Sequence, residues 1–91
     1  MKATVLVCDD EASLRFALTE ALEASGYTVL QASGADEASA LLARCDVLLT
    51  DLAMPGRDGL SLLAEARATE PELPVVLLTA RGSERVAVQA M

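Results

Sequence analysis

A doubly wound α/β fold, a parallel sheet with helices on both faces, is what this sequence predicts, and three observations carry the prediction. Short β-branched runs alternate with stretches of helical period along the whole chain. The runs are apolar at almost every position, as strands buried on both faces are, rather than alternating like strands with a wet side. Hydrophobic residues make up 53% of the 91, enough for a core and too many for a disordered chain. The order βαβαβαβα selects parallel strands, because each crossover is right-handed and lays its helix on a face.

Each element has its own signature. Thr4-Val5-Leu6-Val7-Cys8 is the first strand. After Asp9-Asp10 the period changes: Leu14, Leu18 and Leu22 recur every four residues beside Ala17 and Ala21, an amphipathic helix, and Gly26 stands where a left-handed C-terminal cap belongs. Tyr27 to Gln31 reads as the second strand. Ser33-Gly34-Ala35-Asp36 resembles a capping box with Asp as its acid, opening a helix through Ala38, Leu41 and Leu42. Asp46 to Asp51 is a third strand with an acid at each end, and Pro55, Gly56 and Gly59 make Leu52 to Gly59 a loop. Leu60, Leu63 and Ala64 start a helix running to about Thr69. Pro71 and Pro74 bracket the entry to the fourth strand, Val75 to Leu78, and Ser83 caps a last helix over Glu84 to Met91. Phe16 and Tyr27 are expected to pack in the core or between helices, and Cys8 and Cys45 to be small buried hydrophobes. Residues 1–91 form one domain, expected to be incomplete at its C-terminus.

Composition narrows the chemistry. With 7 Lys+Arg against 14 Asp+Glu the net charge is −7, which disfavours direct nucleic-acid binding by this segment. No His and two Cys leave zinc sites and disulfide frameworks poorly supplied. No signal-peptide pattern is present, and no apolar stretch approaches the roughly 18 residues of a membrane span. The expected compartment is the cytoplasm, with both thiols reduced.

Ligands of open α/β sheets bind at the carboxyl ends of the strands. Asp9 and Asp10 follow the first strand, Asp51 the third, and Thr79 the fourth, so adjacency of those strands would bring them to one rim. Taken singly, each is bland: Asp9-Asp10 as a helix cap, Asp51 as a loop acid, Thr79 as a strand residue, Arg57 as a solvated side chain near Asp51. Together they are not, since crowded carboxylates repel one another unless a cation lies between them. Mg²⁺ suits such a place, because it takes one or two carboxylates and keeps several waters.

Val7-Cys8-Asp9-Asp10-Glu11, Thr50-Asp51-Leu52-Ala53-Met54-Pro55-Gly56-Arg57-Asp58-Gly59 and Leu78-Thr79-Ala80 resemble, in order and spacing, the receiver domain of bacterial two-component response regulators. The stretch from Arg81 to Met91 is most similar to receivers of the nitrogen-regulator type, which precede an ATPase and a DNA-binding module. The resemblance implies a flavodoxin-like sheet of strand order 2-1-3-4, with the family's fifth strand and fifth helix missing. It implies that Asp51 is the phosphoacceptor, served by a sensor histidine kinase. Asp10 would ligate Mg²⁺ directly, Asp9 through water or outer contacts, and Asp51 and the backbone carbonyl of Ala53 would complete the protein's share. Thr79 would bond a phosphoryl oxygen and report phosphorylation, and small Ala80 would leave the phosphoryl group accessible. The family's lysine after the fifth strand and its aromatic switch residue are absent, which sets a non-switching structural or dimerisation module as the alternative. The fourth strand would present a bare apolar edge, inviting self-association there or through the fourth helix. A phosphohydrolase of the haloacid-dehalogenase type is disfavoured, since Asp51-Leu52-Ala53 has no second acid two residues on. The domain is therefore expected to signal rather than to act as an enzyme, beyond phosphorylating and dephosphorylating itself.

Overall fold

The computed structural model describes residues 2–52 and 56–78, and residues 86–89 as backbone. Strand β1 (Thr4–Cys8) leads to helix α1 (Ala12–Ala24), then β2 (Thr28–Ala32), a short α2 (Ala35–Ser39) with a 3-10 turn at Leu42–Arg44, β3 (Val47–Asp51), α3 (Gly59–Thr69), β4 (Val75–Leu78) and β5 (Val86–Gln89). The sheet order is β2-β1-β3-β4-β5. The first four strands run parallel in the order 2-1-3-4 that the sequence implied, and β5 lies antiparallel to β4.

β5 occupies Val86–Gln89, within the span Glu84 to Met91 where the sequence predicts a helix; the rest of that span lies outside the described residues. Val86 and Val88 favour a strand, and the edge of β4 offers unpaired backbone groups that a strand satisfies. The connection from Leu78 to Val86 is too short for a parallel crossover, so the segment returns antiparallel. The edge of β4 expected to be bare thus carries Val86–Gln89, with Leu77 opposite Ala87. No fourth helix exists among the described residues.

Local chemistry accounts for the boundaries. α1 ends through Ser25 N–H to Ala21 O (3.2 Å) and Gly26 N–H to Glu23 O (3.0 Å), and Gly26 takes φ 98°, the left-handed cap expected of it. At α2, Glu37 rather than Asp36 closes the box: its Oε1 accepts from Ser33 N–H (2.7 Å) and Oγ–H (2.9 Å). Asp46, before β3, fastens the opposite end of the sheet, accepting from Thr4 N–H at 2.8 Å while its own N–H donates to Thr4 O at 2.7 Å.

The two faces of the sheet are unequal. Leu6, Cys8, Leu48, Val75 and Leu77 meet Ala35, Ala38, Leu42, Leu62 and Ala66 of the α2–α3 side in one buried cluster. On the α1 side Val5 and Val7 are buried, but Val47, Leu49, Val76 and Leu78 are only half-buried. Leu14 is exposed too, and so are Phe16 (61%) and Tyr27 (41%), contrary to the expectation of core packing. Cys8 is buried as expected and Cys45 half-buried, its thiol pushed up to about 11, chiefly by burial.

Candidate functional site

Parallel pairing of β1 with β3 sets Cys8 opposite Thr50, so the next residues along, Asp9 and Asp51, leave the sheet side by side. Asp10 follows in the turn into α1. One carboxylate oxygen from each of Asp9, Asp10 and Asp51 lies within 4.8 Å of the others, with Asp9 and Asp51 buried and Asp10 exposed. The three acids singled out from strand ends are therefore one cluster. Asp51 also pairs with Leu78 in the ladder, which brings the end of β4 alongside. Thr79, Ala80 and Ala53, also named from the sequence, lie outside the described residues.

Asp9 is held on several sides. Its N–H donates to Ala32 O (3.1 Å), its Oδ1 accepts from Glu11 N–H (2.8 Å), and its carbonyl accepts from Arg15 Nη1 (2.8 Å). Its Oδ2 is buried with no hydrogen-bond partner. Burial raises the Asp9 pKa above the ordinary carboxylate value; the Glu11 amide opposes this, and the charges of Asp51, Asp10 and Glu11 add to it. Two like charges 4 Å apart repel by about 4 kcal/mol at an effective dielectric of 20.

These residues fit a magnesium ion. An orphaned buried carboxylate oxygen is costly, and a cation is the partner that removes the cost. The donors are all oxygen, as a hard cation prefers. Ligands of an octahedral ion at about 2.1 Å stand roughly 3 Å apart when adjacent and 4.2 Å when opposite, comparable to the span of the cluster.

The segment after Asp51 serves structure as well. Asp58 caps α3, its Oδ1 accepting from Ser61 N–H at 2.9 Å. Gly59 N–H donates to Leu52 O at 2.8 Å. A Cβ at Gly59 would collide with Asp51 O and stand 2.9 Å from Leu52 Cα, so only glycine lets α3 start against the end of β3. Gly56 adopts φ 78°, which also favours glycine. Arg57 keeps 32% of its side chain exposed and turns to acids of α2 and α3 rather than to the Asp9–Asp10–Asp51 cluster. Its Nη2 pairs with Glu65 (2.7 Å), its Nη1 with Asp36 (3.2 Å), and its Nε donates to Ser61 Oγ (3.2 Å). Glu65 in turn accepts from Ser39 Oγ, so the loop is tied to both α2 and α3.

Arg15 and Gln31 escaped the sequence reading. By pattern Arg15 is only a polar residue on an amphipathic helix, and its six-residue reach back to Asp9 matches no helical spacing.

Residues 5–91 match the family model described as the response regulator receiver domain. The C4-dicarboxylate transport transcriptional regulatory protein DctD of Rhizobium meliloti is 39% identical over 90 residues, covering 97% of this chain and 20% of that protein. The DNA-binding transcriptional regulator NtrC of Salmonella typhimurium is 41% identical over 91 residues, covering 98% and 19%. The chain thus spans about a fifth of the length of these relatives. Among solved structures, the response regulator protein TrrA from Thermotoga maritima, in complex with Mg²⁺ and beryllofluoride, superposes with a TM-score of 0.84 at 34% identity, covering 93% of this chain and 75% of that one. The family match runs from β1 through the last residue and takes in every strand end that carries an acid of the cluster: the chain belongs to the response regulator receiver domains of two-component signalling.

Proposed function

We propose that this receiver takes a phosphoryl group from a phosphohistidine of a sensor histidine kinase onto Asp51. The observation that carries the reading is the meeting of Asp9, Asp10 and Asp51 within 4.8 Å at the carboxyl end of the sheet. An Asp51 carboxylate oxygen attacks phosphorus in line, the P–N bond to the kinase histidine breaks, and the electron pair leaves with the imidazole, giving an acyl phosphate on Asp51. Asp10 would hold Mg²⁺ directly, Asp9 would hold it through water or the outer shell, and Asp51 and the Ala53 carbonyl would complete the set. The metal, when bound, neutralises charge on the transferring oxygens, which with positioning is most of what phosphoryl transfer requires. Burial of Asp51 limits water around the nucleophile. Thr79 donates to a phosphoryl oxygen afterwards and reports the modified state.

The output is a change of association or of an effector module, with DNA binding supplied by another part of a full-length cytoplasmic regulator of the nitrogen-regulator type. With β5 on the edge of β4, a second copy would pair with β5 instead. No helix among the described residues is long and apolar enough to cross a membrane.

Titration with Mg²⁺, with and without beryllofluoride, on wild type and Asp51→Asn tests the reading, with solution mass read in parallel. Mg²⁺-dependent beryllofluoride binding that Asp51→Asn loses is the expected result. Mg²⁺ binding without beryllofluoride binding would mean a metal site without a switch, and binding of neither would leave a structural module.

A further inference from the structure

The metal reading requires the Asp9 and Asp10 carboxylates to meet Asp51, and backbone pairing alone does not orient the peptide between them. Arg15 does. It sits in the first turns of α1, where its own N–H donates to Glu11 O at 3.0 Å, and its side chain folds back over the turn so that Nη1 reaches the Asp9 carbonyl at 2.8 Å. Its Nε donates to Gln31 Oε1 on β2 at 3.1 Å. Gln31 is the ladder partner of Val7, two residues before Asp9, so the guanidinium is anchored on the strand beside the one whose end it braces. A guanidinium is planar and rigid, so fixing one nitrogen on Gln31 fixes the direction of the other. With the Asp9 carbonyl held, the Asp9–Asp10 peptide plane is set, and both acids hang from it.

Resting on the metal reading above, we infer that Arg15, oriented by Gln31, is a positioning residue for the acidic cluster. It locks the Asp9–Asp10 peptide so that the orphaned Asp9 Oδ2 and the Asp10 carboxylate face the place a divalent cation takes beside Asp51. The alternative role, that of a nearby positive charge, has the opposite sign, since a cation close to a Mg²⁺ site weakens binding and its removal tightens it.

Calorimetric titration with Mg²⁺ of wild type, Arg15→Ala, Gln31→Ala and Asp51→Asn separates these. Arg15→Ala is expected to bind about 10-fold more weakly, as loss of an outer-shell partner typically does, and Gln31→Ala to lose less in the same direction. Unchanged or tighter binding by Arg15→Ala overturns the proposal. A second readout needs no metal: exchange of the Glu11 amide proton, held on Asp9 Oδ1, should quicken in Arg15→Ala, and an unchanged rate overturns the brace even where the metal site stands. Wild type binding Mg²⁺ no better than Asp51→Asn would sink the metal reading and the positioning role with it, whatever the Glu11 amide reports. Gln31→Ala, at an exposed strand position, guards against an Arg15 variant that fails to fold.

Discussion

Asp9 carries a conflict between folding and binding. Burial and its neighbours raise its pKa, so over a range of pH the folded chain holds a proton that the unfolded chain has released. Stability is then greatest below the unfolded value of about 3.9 and falls as pH rises through the raised folded value. Above that folded value the metal-free fold bears the cost of ionising this group. Asp9→Asn should therefore raise the melting temperature of the metal-free protein at pH 7, and should abolish most of the rise that Mg²⁺ gives the wild type; a lower melting temperature without metal would refute this. Gly59 presents a different constraint. Gly59→Ala must push α3 away from the Asp51 carbonyl, at about 1–3 kcal/mol. In thermal unfolding each kcal/mol is worth about 4–8 °C at this size. The acids were legible in the sequence because a strand end is a position that hydropathy alone locates. Gly59 read only as a turn former, because its close approach to β3 involves backbone that comes near only when the sheet and α3 are assembled.

At the scale of elements, the first four strands, α1 and α3 were legible because period and punctuation agree there: β-branched runs, a leucine every four residues, glycine and proline at the breaks. The helix after Ala35 came out shorter than read, closing at Ser39 before a 3-10 turn. The last segment is where local signals conflict. Ser83-Glu84 is a sequence signal for a helix start, while Val86 and Val88 alternate as in a strand, and over Val86–Gln89 the open backbone of β4 decides for the strand. Hydrophobic pattern says what a segment tolerates; the neighbour with unpaired hydrogen bonds says what it becomes. Solution NMR should give cross-strand Overhauser contacts between the backbones of Leu77 and Ala87 and of Val76 and Val88. Sequential amide contacts of helical type over Val86–Gln89 would refute the pairing.

Across the whole molecule the sheet divides the chain into a closed side and an open one. On the α2–α3 side Leu62 is fully buried, within a cluster that joins two helices to four strands. On the α1 side the same sheet presents Val47, Leu49, Val76 and Leu78 half-covered, and α1, which packs against β1 and β2, buries no residue except Thr19. Leucine spacing placed Leu18 and Leu22 on the half-buried face of α1, but Leu14, Ala17 and Ala21 of the same stripe are exposed; a period reports which residues share a face, never how completely another element covers it. Stability should follow coverage rather than hydrophobicity. Leu62→Ala removes packed methyl groups and leaves a cavity, which costs about 2–5 kcal/mol. Phe16→Ser deletes a larger side chain, yet one that is 61% exposed, and should change stability by no more than about 0.5 kcal/mol. Urea unfolding of the two variants measures the contrast directly, since the midpoint moves with stability while the slope reports the surface exposed. Comparable losses from both would mean that α1 is packed as tightly as α3 in solution, and that the open side of the sheet is covered there.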